Sequence, residues 1–201
     1  MRVAVPSISF CQSEVLRHEL LDSYPDARFN EALVRLGADQ LVEFLSDRDA
    51  AIMGLEPLTE PMLRSLPDLK VISRMGVGVD NIDPDLLNRL GIRIGWTGGT
   101  NRHSVAELTI GFAIAGLRHV GPLYHAMRAD ERPHHRMGRQ LRNRVVGLHG
   151  CGHVGKEVVK LLAPFDCTVL ACDVRDMAAF HHQHGVEAVS MDELVSRSEG
   201  L

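Results

Sequence analysis

Gly150, Gly152 and Gly155 stand in the spacing G-x-G-x-x-G, which suits a main chain that must come close to a phosphate. Gly150 permits a tight turn, Gly152 lets backbone approach a diphosphate with no Cβ in the way, and Gly155 lets a following helix pack close to the preceding strand. The amides of His153 and Val154 would then sit at the positive end of that helix and face phosphate oxygens. Asp173, 23 residues after Gly150, would accept hydrogen bonds from the hydroxyls of an adenosine ribose. Its charge would also repel a 2′-phosphate, which favours NAD over NADP. Arg175, two residues on, blurs that preference. The glycine pattern alone is weak; its setting strengthens it. Val145-Val146-Gly147-Leu148 reads as a buried strand before it, residues 153–163 as a helix after it, and Cys167 to Cys172 as a second strand ending beside Asp173.

Other reactive side chains point to less. His149, Cys151 and His153 alternate within the glycine turn, but alternate residues of a tight turn point apart, and no second ligand pair stands at zinc spacing. No metal site is expected. His181, His182 and His184 read as a solvated helix end, and Cys172 as a strand residue. Residues 128–144 hold six arginines and two acids, with His134 and His135 among them. Without interleaved aromatics, and in an acidic chain, they read as a solvated connector and not as a nucleic-acid surface.

The elements that must position these residues alternate. Val3–Val5, Ala50–Met53, Val71–Ser73 and Arg93–Trp96 are strand-like, with a weaker run around Ala27–Phe29 and amphipathic stretches between them. Such alternation implies right-handed βαβ units and parallel sheets covered on both faces. Asp83-Pro84 reads as a helix cap and first turn, and Gly91 as its stop. Ser104–Arg118 reads as a long helix with Ser104 and Glu107 as a capping box, ended or kinked at Gly121-Pro122. Val105, Leu108, Phe112 and Ala115 mark one apolar face, and Ile110, Ile114 and Leu117 a second, so this helix is expected to be buried. After Cys172 a helix from about Asp176, a short strand at Glu187–Val189 and a helix from Met191 to Ser198 follow.

Composition sets the outer limits. The 201 residues are 45% hydrophobic and 24% charged, with a net charge of −4, which is ordinary for globular domains. No basic excess points to nucleic acid or an anionic membrane, no run approaches a membrane span, and the N-terminus reads as a strand and not as a signal peptide. Four scattered cysteines fit a reducing cytoplasm better than a disulfide framework.

The stretch Arg74-Met75-Gly76-Val77-Gly78-Val79-Asp80-Asn81-Ile82-Asp83 resembles the D-isomer-specific 2-hydroxyacid dehydrogenases, with the phosphoglycerate dehydrogenase-like branch nearest. The resemblance runs on through Trp96–Asn101, Ser104–Leu108, the glycine turn and Asp173. It implies an α/β fold: a flavodoxin-like substrate domain over about 1–98, and a partial Rossmann NAD-binding domain with a parallel sheet over 99–201. It implies that the backbone amides of Gly76, Val77 and Gly78 bind the carboxylate of a 2-hydroxy or 2-keto acid, that Val77 also lies against the nicotinamide, and that the helix at 104–118 contributes to a homodimer. Glycines that expose successive N–H groups make an anion nest, which gives the first of these a physical basis.

The family's catalytic arginine, its histidine and the carboxylate that tunes it lie downstream of the region matching Ser198, so no catalytic residue is assigned in this chain. The fourth strand of the Rossmann sheet, which would line the cofactor crevice, lies beyond that region too. The first strand is therefore expected to keep an unpaired edge, and the chain to be an incomplete, inactive piece that binds NAD weakly. The activity expected of the parent protein is hydride transfer between a 2-hydroxy acid and NAD. An NAD-responsive, corepressor-like binding module is the alternative.

Overall fold

The computed structural model describes residues 1–131 and 137–199. The chain divides into two compact units, Met1–Thr100 and Asn101–Leu201, and its peptide bonds are trans among the described residues.

The first unit is a run of βα repeats. In chain order it holds β1 (Val3–Val5), α1 (Ile8–Cys11), α2 (Glu14–Ser23), β2 (Arg28–Phe29), α3 (Ala38–Leu45), β3 (Ala50–Met53), α4 (Glu60–Arg64), β4 (Val71–Arg74), α5 (Pro84–Arg89) and β5 (Arg93–Gly95). The strands pair in parallel in the order β2-β1-β3-β4-β5. This is the flavodoxin-like order, in which the connections reverse direction between β1 and β3. Strand alternation supplies both faces of the core. Ala4, Ala51 and Met53 join Leu41, Leu45, Ile72, Leu86 and Leu87 on one side, while Val5 packs with Phe10, Cys11 and Phe29 on the other. The Asp83 carboxylate accepts the N–H groups of Asp85 and Leu86 at 3.0 Å each, with Pro84 in the first turn. Gly91 follows the helix with φ +70°. Both ends match the sequence signals.

The second unit holds α6 (Arg102–Leu117), α7 (Val120–Arg128), β6 (Val145–His149), α8 (His153–Leu162), a 3₁₀ turn at Ala163–Phe165, β7 (Thr168–Cys172), α9 (Ala178–His184), β8 (Glu187–Ala188) and α10 (Met191–Arg197). Its strands pair in parallel in the order β6-β7-β8. Val146, Val169 and Ala171 pack with Val158, Val159 and Leu162 of α8 and with Ala106 and Leu117 of α6.

Several sequence expectations fail here for identifiable reasons. α6 starts two residues before Ser104. Its N-cap is Asn101, no side chain caps it, and the Ser104 hydroxyl donates to the Asn101 carbonyl. Arg102 and His103 lie 3.6 and 3.4 Å from the Glu157 carboxylate of α8, so an ion cluster holds the first turn and the capping box does not form. Gly121-Pro122 does not end α6. The break falls at His119, whose φ of +55° starts α7, and Pro122 lies in that helix's first turn, where a missing N–H costs nothing. α6 is not buried on both faces: Leu108 and Phe112 are 54% and 67% exposed. The expectation for β6 holds, since it is the outer strand of its sheet, and among the described residues its free edge is met at Val145 alone. The Val145 N–H donates to a Glu199 carboxylate oxygen at 2.9 Å, and the Val145 carbonyl accepts the Glu199 N–H at 3.1 Å.

Candidate functional site

The parallel register pairs His149 with Cys172, which sets the glycine turn directly beside Asp173. Gly150 has φ +97°, a conformation that residues with a Cβ rarely adopt, and its N–H bonds the Cys172 carbonyl at 2.8 Å. A Cβ on Gly155 would collide with the Gly150 carbonyl oxygen, so α8 begins this close to β6 only because residue 155 has no side chain. Beyond the turn, no side chain caps α8. The N–H groups of Gly152, His153 and Val154 have no hydrogen-bond partner among the described residues. They are the orphan donors of a helix start, and such donors at the positive end of a helix dipole suit an anion. His153 is exposed and Val154 half-buried.

Asp173 braces this turn. One carboxylate oxygen accepts the Cys151 N–H at 2.7 Å and the other the Arg175 N–H at 2.9 Å. These two donors, Arg175 first, hold its carboxyl below the ordinary aspartate range. The carboxylate is only 6% exposed, and the Arg175 Nε lies 3.6 Å from it. Each oxygen keeps a further lone pair, so Asp173 can fix the turn and still accept a ribose hydroxyl.

The second constellation lies in the first unit. Gly76, with φ +116°, follows β4 and opens the loop that carries Val77 and Gly78. Two side chains fasten the loop by its carbonyls: the Trp96 Nε1 donates to the Val77 carbonyl at 3.0 Å, and the Arg74 Nε to the Gly78 carbonyl at 2.6 Å. In a planar trans peptide the N–H points opposite to the C=O. Fixing those two carbonyls therefore turns the Gly78 and Val79 N–H groups the other way. The amides of Gly76, Val77 and Gly78 have no partner among the described residues. Successive unpartnered N–H groups of this kind can receive an anion.

Beside the loop, at the carboxyl ends of β1, β3 and β4, lies a cavity of about 480 Å³. It opens at the point where the strand connections reverse, the usual ligand position of an open parallel sheet. Ser7, Gln12, Arg35, Glu56, Arg74 and Gly76 contribute to its wall. Glu56 is buried, and one of its carboxylate oxygens accepts the Gly54 N–H at 2.5 Å.

The family described as D-isomer specific 2-hydroxyacid dehydrogenase, catalytic domain, matches residues 8–197. The chain belongs to this family. It is 29% identical over 166 residues to a hydroxypyruvate reductase of Thermotoga maritima, covering 82% of this chain and 53% of that protein. It is 30% identical over 172 residues to a D-3-phosphoglycerate dehydrogenase of Methanocaldococcus jannaschii, covering 84% of this chain and 33% of that protein. The chain thus spans about a third to a half of the curated relatives it matches. Among solved structures, the apo D-lactate dehydrogenase of Escherichia coli superposes with a TM-score of 0.80 at 22% identity, over 99% of this chain and 63% of that one. The Aquifex aeolicus D-lactate dehydrogenase complexed with NAD and lactic acid superposes with a TM-score of 0.77 at 20% identity, over 99% and 59%.

Within this family member, Arg74 and Trp96 fasten the Gly76–Gly78 loop, although reading the glycines gave them no role. Both lie in the stretches that carry the family resemblance, but only the folded chain brings the indole to a carbonyl 19 residues away. Glu56 and Arg35 had no signal beyond their residue type. His181 corrects the expectation of a solvated helix end: it is 8% exposed, and its Nε2 has no hydrogen-bond partner among the described residues. His182 and His184 are exposed as expected. Cys151 is fully buried, and burial pushes its thiol up, which makes it unreactive. Cys172 is half-buried at the end of β7. Among the described residues no group of three or more histidine, cysteine, aspartate or glutamate side chains is placed to hold a metal ion. Part of the arginine-rich stretch, including His134 and His135, lies outside the described residues; Arg142 pairs with Asp166 at 2.6 Å and Arg144 with Glu199 at 3.1 Å.

Proposed function

We propose that this chain carries the carboxylate-anchoring and dinucleotide-holding parts of an oxidoreductase that moves hydride between C2 of a 2-hydroxy acid and NAD. The observation that carries the reading is a pair of unpartnered amide runs, at Gly76–Gly78 and Gly152–Val154, each beside an element that fixes its direction. The first suits a carboxylate and the second a diphosphate. A bound nicotinamide supplies the hydride acceptor or donor. This chain's residues do the holding: the Gly76 loop fixes the acid end of the substrate, Gly152, His153 and Val154 the diphosphate, and Asp173 the ribose. No described histidine is assigned the proton transfer.

Family membership and the carboxylate nest support 2-hydroxy and 2-keto acids as the substrate class. The exposed apolar side chains of α6 and α7, Phe112, Tyr124 and Met127 among them, support a homodimer. Sedimentation would then show a dimer that Phe112→Lys dissociates. No helix among the described residues is long and apolar enough to cross a membrane. All four cysteines are free, which supports a reducing, cytoplasmic setting.

Trp96, the only tryptophan in the chain, reports directly on the loop. Titrating the chain with D-lactate, D-glycerate and hydroxypyruvate should change its emission and shift the amide resonances of residues 76–78. NADH should shift those of 152–154. Ligand-induced shifts confined to other residues would sink the proposal.

A further inference from the structure

We propose that Arg35 selects the substrate: the acid held by the Gly76–Gly78 loop carries a second carboxylate on a hydrocarbon chain, and Arg35 receives it. The inference rests on the carboxylate reading of that loop and deepens it. The cavity of about 480 Å³ beside the loop has both Gly76 and Arg35 in its wall. A cavity of that size takes a ligand larger than a three-carbon acid. Ile8, Leu55 and Met75 give the same wall an apolar part, and Leu55 is 72% exposed. A run of methylene groups would cover these side chains.

The charges of this wall leave Arg35 for a ligand. Its side chain is exposed and has no hydrogen-bond or ion-pair partner among the described residues. Elsewhere in the first unit Arg2, Arg17, Arg28 and Arg48 each pair with an acid. Arg74, the other arginine of the wall, is occupied by the loop: its Nε donates to the Gly78 carbonyl and its Nη1 to the Met53 carbonyl. The nearby acids are engaged as well. Glu56 in the wall is 7% exposed and accepts the Gly54 N–H at 2.5 Å, and Glu31 pairs with Arg17 at 2.7 Å. A guanidinium with all its donors open suits a carboxylate, which it can meet with two parallel bonds.

The segment that carries Arg35 is the independent second observation. It joins β2 to α3, and within it Leu33 has φ +52°, a conformation that a large side chain adopts only where its surroundings enforce it. Asn30 enforces it. Its side chain is buried, and Nδ2 donates to the Pro6 carbonyl at 3.1 Å and to the Val34 carbonyl at 2.7 Å. Its own carbonyl accepts the Leu33 N–H at 3.1 Å. The peptide just before Arg35 is thus tied to the end of β1, where Ser7 lines the cavity. Leu33 and Val34 are 41% and 51% exposed, so burial of their side chains does not account for the strained turn. What the turn does is hold an arginine at a cavity wall, and strain of this kind gathers at ligand clamps.

The test is a titration of the chain, followed by Trp96 emission, with D-2-hydroxyadipate, D-2-hydroxyhexanoate, D-lactate and D-3-phosphoglycerate. The first two differ only at the end of the chain, a carboxylate against a methyl group. D-2-hydroxyadipate should bind about fivefold more tightly than D-2-hydroxyhexanoate, the upper end for an ion pair that solvent reaches. D-2-hydroxyhexanoate should in turn bind more tightly than D-lactate, because of the apolar wall. Arg35→Gln should abolish the first difference and leave the second. Arg35→Lys should keep part of the first, and added salt should shrink it. Arg35 is exposed and makes no hydrogen bond among the described residues, so these variants keep the fold. Three results overturn the proposal and leave the carboxylate reading of the loop standing: equal affinity for D-2-hydroxyadipate and D-2-hydroxyhexanoate, a preference unchanged in Arg35→Gln, or D-3-phosphoglycerate, with its second anion on a short polar chain, binding more tightly than D-2-hydroxyadipate. Binding of none of the four acids overturns both.

Discussion

The glycine turn at 150–155 and the glycine loop at 76–78 both present free amides, yet their shapes are enforced differently. In the turn, backbone packs on backbone: a Cβ at residue 155 would strike the Gly150 carbonyl oxygen, and Asp173 accepts the Cys151 N–H at 2.7 Å from 22 residues away in sequence. In the loop, nothing lies within 4 Å of a Cβ on Gly76. The peptide planes are instead oriented by two side chains, Arg74 and Trp96, acting on carbonyls. The first device is written in glycine spacing, and a sequence displays it. The second is written in side chains whose partners appear only after the chain has folded.

Substitutions should separate the two devices. The largest effect is expected for Gly155→Ala. The added methyl must push α8 off β6 or distort the turn, and overpacking of this kind costs about 1–3 kcal/mol, with the upper end expected where the obstacle is backbone. Urea unfolding of the second unit would read the loss, and NADH affinity should fall with it. Gly76→Ala should cost less, about 1–2 kcal/mol, because only the φ of +116° resists it and the space is open. A cost for Gly155→Ala no larger than that for Gly76→Ala would show that α8 can give way and that close approach does not hold residue 155 as a glycine.

Trp96→Phe sharpens the contrast further. It removes one donor from a carbonyl at an exposed site, where water can replace it, so stability should change by only about 0.5–1.5 kcal/mol. The affinity for a 2-hydroxy acid should fall several-fold more than that of Gly155→Ala for the same ligand, because the indole fixes the direction of the Gly78 amide. Calorimetric titration with D-lactate would measure it. An unchanged affinity would remove Trp96 from the positioning of the loop.

How far the sequence carried these sites follows from the same distinction. The apolar runs of β1 and β3, buried on both faces of their sheet, and the capped helix at Asp83-Pro84 depend on near neighbours and were legible. The start of α6 was not, because an ion cluster with Glu157, more than fifty residues away, overrides the local Ser104 signal. The two apolar faces of α6 suggested burial, but an apolar face says only that a partner surface is favourable, not that this chain supplies it, and Leu108 and Phe112 remain exposed. His181 looked solvated in a run of three histidines. Its burial comes from the packing of α9 beside β8, which no run of polar residues reveals.

The smallest expected effect concerns acid. Asp173 is held below its ordinary range by the N–H groups of Arg175 and Cys151, and Asp49 in the first unit is held below its range by the Arg2 side chain and N–H. A carboxyl whose folded-state pKa is depressed contributes stability that is fully present above its unfolded value, about 3.9. That stability is lost as pH falls toward the lower folded value. Both units should therefore weaken below about pH 4. Asp173→Asn removes this carboxyl's share of the acid limb from the second unit, and Asp49→Asn its share from the first, while other lowered carboxyls such as Glu157 and Glu31 remain. Urea midpoints followed from pH 7 to pH 3 should show each variant's deficit at neutral pH shrinking as the wild-type carboxylate protonates. The partners differ: Asp173 is held chiefly by backbone N–H groups and Asp49 chiefly by an exposed guanidinium, so added salt should erode the Asp49 contribution more. Equal salt sensitivity in the two variants would mean that Arg175's charge, and not the turn's own peptide groups, is what keeps Asp173 ionised.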